Sequence, residues 1–212
     1  MRTKNSPKLT GRSSPRLRKL FSGRLTPLAY PLRDALQSPS LVQSGRLMGA
    51  IGAFWGFSGV VGLLGYALYR LAPRAAEALN TPLTTVQWVF LIGFSVFMLV
   101  AEGYRGFQKK FSPRTAARVR YLYDHPRWHH VLFAPFFCMG YFHAKRKTRI
   151  TAIALTLGIV LLVTLVAYLP TPWRGLVDFG VVLGLSYGIL SFVAFTSQAF
   201  YGKGFSHSPE VP

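Results

Sequence analysis

Four stretches of the chain are apolar and free of charge over about 20 residues. An α-helix of that length crosses the hydrocarbon core of a bilayer, which is about 30 Å thick. The stretches cover residues 47–69, 83–101, 150–169 and 179–201, and charged or turn-forming segments separate them. The pattern predicts an all-α polytopic membrane protein whose membrane domain, 47–201, contains four transmembrane helices.

A fifth apolar stretch, residues 131–142, behaves differently. It has only 12 residues and contains Pro135, so it is too short to cross a bilayer as a helix. Arg127 precedes it and a basic run from Lys145 follows it. We therefore expect a short interfacial or re-entrant segment between the second and third spans, inside the long connection 102–149.

Composition agrees with a membrane protein and excludes several other classes. The 212 residues include 25 Lys and Arg against 6 Asp and Glu, yet half of the chain is hydrophobic. A soluble basic nucleic-acid binder would be poor in apolar residues, and no recognition helix or zinc finger accompanies the charge, so nucleic acid is not an expected partner. The single cysteine excludes an intramolecular disulfide framework.

The distribution of basic residues predicts the orientation. Residues 1–46 and 102–149 and the short tail 202–212 hold 22 Lys and Arg, whereas the connections at 70–82 and 170–178 hold 3. Basic loops stay on the cytoplasmic side of a membrane. The sequence therefore predicts that both termini and the middle connection lie inside, with an anionic inner leaflet as a partner and a bacterial inner membrane as the location.

The amino-terminal segment 1–46 is rich in Arg, Lys, Ser and Pro and contains one acid. We interpret it as a basic, largely disordered cytoplasmic arm held near anionic lipids. Two alternatives remain open. The segment has the composition of a transit peptide, which would place the protein in an organellar inner or thylakoid membrane. A start codon placed too early would also produce such a segment.

Two of the predicted spans carry glycines at helical spacing on one face. Such faces let membrane helices approach closely. The functional interpretation is that they dock another membrane protein; the alternative is that the first span packs on the fourth within the bundle. The glycines are Gly49, Gly52, Gly56, Gly59, Gly180, Gly184 and Gly188.

Most residues suited to chemistry lie in the connection 102–149, which holds four of the five histidines. A metal site needs three or four ligands. Pro126 lies between His125 and His129 and argues against a shared helical face for these two. The adjacent His129 and His130 would point in different directions on a regular element. Histidines at a membrane interface are the simpler interpretation. No cofactor is expected, although a single histidine binding haem or chlorin is not excluded. The metal or cofactor candidates are Asp124, His125, His129, His130 and His143.

Other chemistry finds little support in the sequence. Carriers and channels place charged residues inside their membrane spans, and none of the four predicted spans contains one. The sequence also has no Ser-His-Asp or phosphate-loop pattern. Cys138 lies among apolar residues and is expected to be an inert core residue. The basic residues of the connection are predicted to contact anionic lipid or a partner. They are Arg105, Lys109, Lys110, Arg114, Lys145, Arg146, Lys147 and Arg149.

Three segments, EGYRGFQKKFSPR at 102–114, APFFCMGYFHAKRKTRI at 134–150 and PTPWRG at 170–175, give the chain a family resemblance. It resembles a group of small uncharacterised bacterial integral membrane proteins over about residues 48–195, without the basic arm. The resemblance implies a bacterial inner membrane and brings no activity, so it assigns no catalytic residue.

The sequence thus predicts a non-catalytic accessory or assembly subunit of a larger inner-membrane complex, which docks through its glycine-lined helices and its basic cytoplasmic face. The alternative is a membrane enzyme or cofactor-binding protein that acts at the inner interface. That function would use residues of one connection, namely Glu102, Asp124, His129, His130 and His143.

Overall fold

The structure is a computed structural model that describes residues 39–202 and 205–211. Its regular elements within these ranges are all helical. Most of the predicted basic arm and Lys203 lie outside the described residues. The elements are α1 (Pro39–Leu79), α2 (Thr85–Met98), a π-helical segment (Leu99–Phe111), α3 (Ser112–Asp124), α4 (Trp128–Leu132), α5 (Ala134–Met139), α6 (Arg146–Val166) and α7 (Trp173–Tyr201).

Four helices are long and apolar enough to cross a membrane, which confirms the four predicted spans by length and composition. They run over Gln43–Leu79, Thr85–Asp124, Arg146–Val166 and Trp173–Tyr201. The fifth apolar stretch forms α4 and α5, helices of five and six residues that are too short to span. These features indicate a membrane protein.

The ends of two helices differ from the prediction. α1 continues through most of the connection 70–82, so that only a short turn separates it from α2. α2, the π-helical segment and α3 form one uninterrupted helix of 40 residues, about 60 Å long, where the prediction ended the second span at Ala101. A fall in hydropathy marks where a helix meets water, and a helix with its own hydrogen bonds can continue beyond that point.

The start of α2 follows from its local sequence. Thr84 is the N-cap: its hydroxyl accepts a hydrogen bond from the Gln87 amide, and its own amide donates to the Gln87 side chain at 2.8 Å. This reciprocal pair satisfies two amide donors that the first helical turn leaves without partners. The capping box therefore fixes where the 40-residue helix begins.

Helices α1 and α7 run in opposite directions beside the 40-residue helix. The rings of Phe57 in α1 and Phe192 in α7 stack with centroids 5.4 Å apart. At one end of this pair, Gly175 of α7 lies against Ala78 of α1. α7 and the 40-residue helix are parallel and pack along most of their length.

Both glycine faces are covered by other parts of the same chain. A Cβ atom added at Gly56 of α1 would lie 2.8 Å from the Cys138 Sγ atom, and one added at Gly180 of α7 would lie 2.6 Å from the Phe94 ring. The glycines of α1 are covered by α4, α5 and the last turn of α3. Those of α7 are covered by α2 and the π-helical segment. The two glycine faces thus do not meet each other, and the first and fourth spans contact through other residues, such as Phe57 and Phe192.

α6 has few contacts with the rest of the described chain. Its buried residues are Thr148 and Ala152, both near its first turns. Apolar side chains around the remaining helix are exposed, for example Leu157 and Leu161. A helix that is apolar on all sides is suited to lipid or to a neighbouring helix.

The described basic residues are concentrated at one end of the bundle. This end, called the basic end below, comprises α1 around Arg46, the helices α3 to α5, the start of α6 and the end of α7. Arg105, Lys109 and Lys110 lie further along the bundle, in the π-helical segment that packs on α7 at Gly188. The opposite end carries Arg70 and Arg74, in the last turns of α1, and Arg174, in the first turn of α7, among the described residues. The fold therefore separates the charges that the sequence separates along the chain.

Candidate metal centre

Three of the five candidate ligands converge at the basic end. His129 and His130 belong to α4, and His143 lies in the loop after α5. One ligand atom of each histidine lies within 4.8 Å of those of the other two. The His130 ring centroid is 4.4 Å from that of His129 and 4.5 Å from that of His143.

The local chain path explains why these histidines meet. α5 ends at Gly140, whose φ of 91° reverses the chain, and His143 follows with a φ of 45° in the left-handed region. This double change of direction returns the loop to α4. The ring centroid of His143 lies 5.8 Å from that of His129 and 4.5 Å from that of His130. The adjacent His129 and His130 therefore share one cluster, because the third candidate ligand, His143, approaches from another segment.

His130 forms the buried side of the cluster. Its side chain is 1% exposed and stacks on the Phe137 ring with centroids 4.6 Å apart. Burial, assisted by the neighbouring His129 and His143, lowers the pKa of His130 to about 4, so the imidazole is neutral at pH 7. Neither of its ring nitrogens has a hydrogen-bond partner in the described structure. A neutral imidazole with a free nitrogen is the form that binds a metal ion.

Arg118 supports the loop that carries His143. It is fully buried, and its guanidinium donates hydrogen bonds to the carbonyl oxygens of Phe137 at 2.8 Å, Phe142 at 3.1 Å and His143 at 2.7 Å. A weaker contact of 3.4 Å joins it to the Pro209 carbonyl. Nothing in the sequence distinguishes this arginine from the other basic residues of the connection, because its partners are backbone atoms of distant segments.

The carboxyl-terminal segment 205–211 closes the same region. The Lys145 amide donates to the Glu210 carbonyl at 3.1 Å, and the Glu210 carboxylate accepts a hydrogen bond from the Thr148 hydroxyl. Arg114 approaches that carboxylate to 3.9 Å. The tail therefore fixes the start of α6 and, through Arg118, the histidine-bearing loop.

The other candidate ligands lie apart from this cluster. Asp124 pairs with Arg120 at 3.0 Å, and the His125 ring stacks on Tyr121 with centroids 4.8 Å apart. Glu102 belongs to the π-helical segment and lies against Gly184 of α7. The structure therefore reduces the candidate set to His129, His130 and His143.

Cys138 and the predicted lipid-contacting residues have different environments. Cys138 is buried, and burial raises the pKa of its thiol to about 12, so it is a protonated core residue. Arg114 is partly buried beside Glu210. The remaining basic candidates have exposed side chains, namely Arg105, Lys109, Lys110, Lys145, Arg146, Lys147 and Arg149.

The cluster matches the chemistry of a three-histidine metal site. Bonds of about 2.0–2.1 Å to three imidazole nitrogens leave a fourth tetrahedral position for water or another ligand. Zn²⁺, Cu²⁺ and Ni²⁺ accept such imidazole sets. The present separations of up to 4.8 Å between the ligand atoms would shorten when all three nitrogens bind one ion at about 2.0–2.1 Å.

The chain matches no protein-family model, and searches among curated proteins and solved structures also give no match. The resemblance to small bacterial membrane proteins therefore stays a prediction.

Proposed function

We propose that this protein is a membrane protein that binds a divalent transition-metal ion at its basic end through His129, His130 and His143. The observation that carries the proposal is the convergence of three imidazoles, one of which belongs to the buried His130, whose two nitrogens lack partners in the described structure. A buried nitrogen without a hydrogen bond costs about 1–3 kcal/mol. A metal ion bound to His130 would remove part of that cost.

The surroundings of the cluster favour a site with an exchangeable fourth ligand. His143 is exposed and His129 is partly exposed, so an ion can reach the cluster from water. Arg118 and Arg127 both contribute positive potential at His130. An anion such as hydroxide or a carboxylate in the fourth position would offset that potential. This arrangement supports a cofactor-binding role at the inner face of a bacterial inner membrane, the alternative function that the sequence predicts.

Metal titration of the purified full-length protein tests the proposal. In mild detergent we expect one Co²⁺ ion to bind per chain and to give the visible absorption of a low-coordinate nitrogen site, and Zn²⁺ to displace it. Loss of one ligand should weaken Co²⁺ binding at least about 10-fold. The variants are His129→Ala and His143→Asn, because asparagine tolerates the left-handed backbone at 143.

His125→Ala is the matched control. It removes a histidine of the same connection that stacks on Tyr121 and is not part of the cluster. It should leave Co²⁺ affinity unchanged. Equal weakening in His125→Ala and His143→Asn, or a wild-type protein that binds no Co²⁺ in a folded, monodisperse state, would contradict the proposal.

An accessory role in a larger membrane complex remains a second candidate, and α6 is the observation that favours it. The apolar window of α6 is 6% buried, whereas that of α7 is 44% buried, so α6 presents most of a spanning helix to its surroundings. A native gel of the same wild-type preparation tests this role. Stoichiometric companions in a band far above 23.6 kDa would support it, and a small homogeneous band would argue against it.

A further inference from the structure

An apolar groove lies between α1, α3 and α7 at the basic end, separate from the histidine cluster. Its volume is about 400 Å³, within the range of small-ligand sites. The walls are mainly apolar and aromatic, and they include Ala50, Phe54, Phe57, Val193, Thr196 and Phe200.

Two arginines lie at the aqueous end of this groove. Arg46 is exposed and precedes Ala50 by one helical turn, so it lies on the groove-facing side of α1. The Arg120 guanidinium lies over the rings of Tyr123 and Phe200, at 5.5 Å and 5.3 Å from their centroids. Both rings line the groove. A positive end thus adjoins an apolar interior.

Arg120 has donors available for a further anion. Its ion pair with Asp124 uses the Nε atom. The two Nη nitrogens of a guanidinium form the fork that matches the geometry of a phosphate group.

Thr196 supplies an independent sign of a ligand. Its side chain lines the groove and is 8% exposed, and its Oγ1 atom has no hydrogen-bond partner in the described structure. Most threonines of α6 donate to the carbonyl four residues earlier, as Thr164 does to Val160. Thr115 of α3 shares the lack of a partner with Thr196, but it does not line the groove. A buried hydroxyl without a partner favours a ligand that brings an acceptor.

We propose that this groove is a specific site for an anionic glycerophospholipid. One acyl chain lies along Phe54, Phe57 and Val193, the ester carbonyl accepts a hydrogen bond from Thr196, and the phosphate lies between Arg46 and Arg120. A protein partner fits these features less well, because the groove combines an apolar interior, one buried hydroxyl and two cations at one end. The site is independent of metal binding.

Native mass spectrometry of the full-length protein tests the site. The probes are phosphatidylglycerol and phosphatidylcholine with identical acyl chains. We expect the wild-type protein to retain one phosphatidylglycerol in preference to phosphatidylcholine. Each arginine near an anionic head group contributes about fivefold to that preference. The combined change Arg46→Gln and Arg120→Gln should therefore remove it, whereas Arg105→Gln with Lys110→Gln, which makes the same charge change elsewhere, should preserve it.

Filling the groove gives a second, charge-independent test. Ala50→Phe places a ring in the groove from an exposed position and should weaken phosphatidylglycerol binding at least about 10-fold. Ala154→Phe makes the same change on the exposed surface of α6 and should have no effect. Thr196→Val, which keeps the shape and removes the hydroxyl, should weaken binding of both lipids.

Two results would overturn the proposal. One is equal affinity of the wild-type protein for the two lipids. The other is the same lipid affinity in Ala50→Phe and Ala154→Phe when both variants are folded and monodisperse.

Discussion

Arg118 shows at the scale of single residues how this small protein stabilises an irregular loop. One guanidinium satisfies carbonyl oxygens from the end of α5, from the loop at 142–143 and from the tail. It also lies over the Phe137 ring, 4.5 Å from the centroid. Arginine suits this position because its five donors point in fixed, diverging directions, whereas a lysine ammonium is a compact point charge.

Arg118→Lys should therefore destabilise the protein and weaken metal binding together. Each buried carbonyl left without a donor costs about 1–3 kcal/mol, so the loss should reach about 3 kcal/mol. Release of the His143 loop should also lower Co²⁺ affinity by about 10-fold. A fluorogenic maleimide reports thermal unfolding, since Cys138, the single cysteine of the chain, is buried in the native state.

Arg105→Lys is the control for this substitution, because Arg105 is exposed. Its melting temperature and Co²⁺ affinity should equal those of the wild-type protein. If Arg118→Lys lowered stability without changing Co²⁺ affinity, Arg118 would be a structural residue with no influence on the position of His143.

At the scale of elements, the glycines that recur about once per turn along α1 have unequal roles. Gly59 lies directly against the Pro135 ring of α5, whereas a Cβ atom added at Gly62, one turn further along, would meet nothing within 4 Å. The glycine run is therefore a contact surface for the short helices over its first part and an open helix surface beyond.

Gly59→Ala and Gly62→Ala should accordingly change stability in opposite directions. The added methyl at Gly59 must displace Pro135, at a cost of about 1–3 kcal/mol. At Gly62 the same methyl meets open space and gains up to about 1 kcal/mol of helix propensity. The maleimide melting assay measures both variants. Equal melting temperatures would show that α5 does not pack on this part of α1.

Hydropathy predicts the elements of this fold better than their ends. The four long helices follow from uninterrupted apolar runs, which the cost of exposing backbone groups to lipid makes helical. The end of the second helix does not follow, because residues 102–111 are polar yet continue the helix through π-helical turns. Hydropathy locates only the boundary between lipid and water. A helix can cross that boundary, because its backbone hydrogen bonds lie within the helix.

The sequence predicts which connection holds the candidate site, but it does not predict which of its residues come together. Clustering of histidines in one connection marks the place, since polar ligands are rare near apolar helices. The choice among five candidates depends on the reversal at Gly140 and on the Arg118 contacts, which join residues 19 to 91 positions apart. Contacts of that range have no local pattern in a single sequence.

At the scale of the whole molecule, the separation of charge predicts an orientation of the bundle in a membrane. The metal cluster, the proposed lipid groove and most of the exposed Lys and Arg side chains of the described residues share the basic end. The opposite end carries three arginines among the described residues, including Arg70 and Arg174. Because basic loops are retained on the cytoplasmic side, both proposed sites should face the cytoplasm and its anionic leaflet.

Cysteine accessibility in intact bacterial cells tests this orientation. Thr81→Cys introduces a thiol in the exposed turn between α1 and α2, and Lys145→Cys introduces one at the basic end. A membrane-impermeant maleimide should label Thr81→Cys in intact cells and Lys145→Cys only after permeabilisation. The native Cys138 can remain as an internal control, because its buried, protonated thiol should react only after denaturation. Labelling of Lys145→Cys in intact cells would contradict this orientation. It would place the metal cluster and the lipid groove on the periplasmic side.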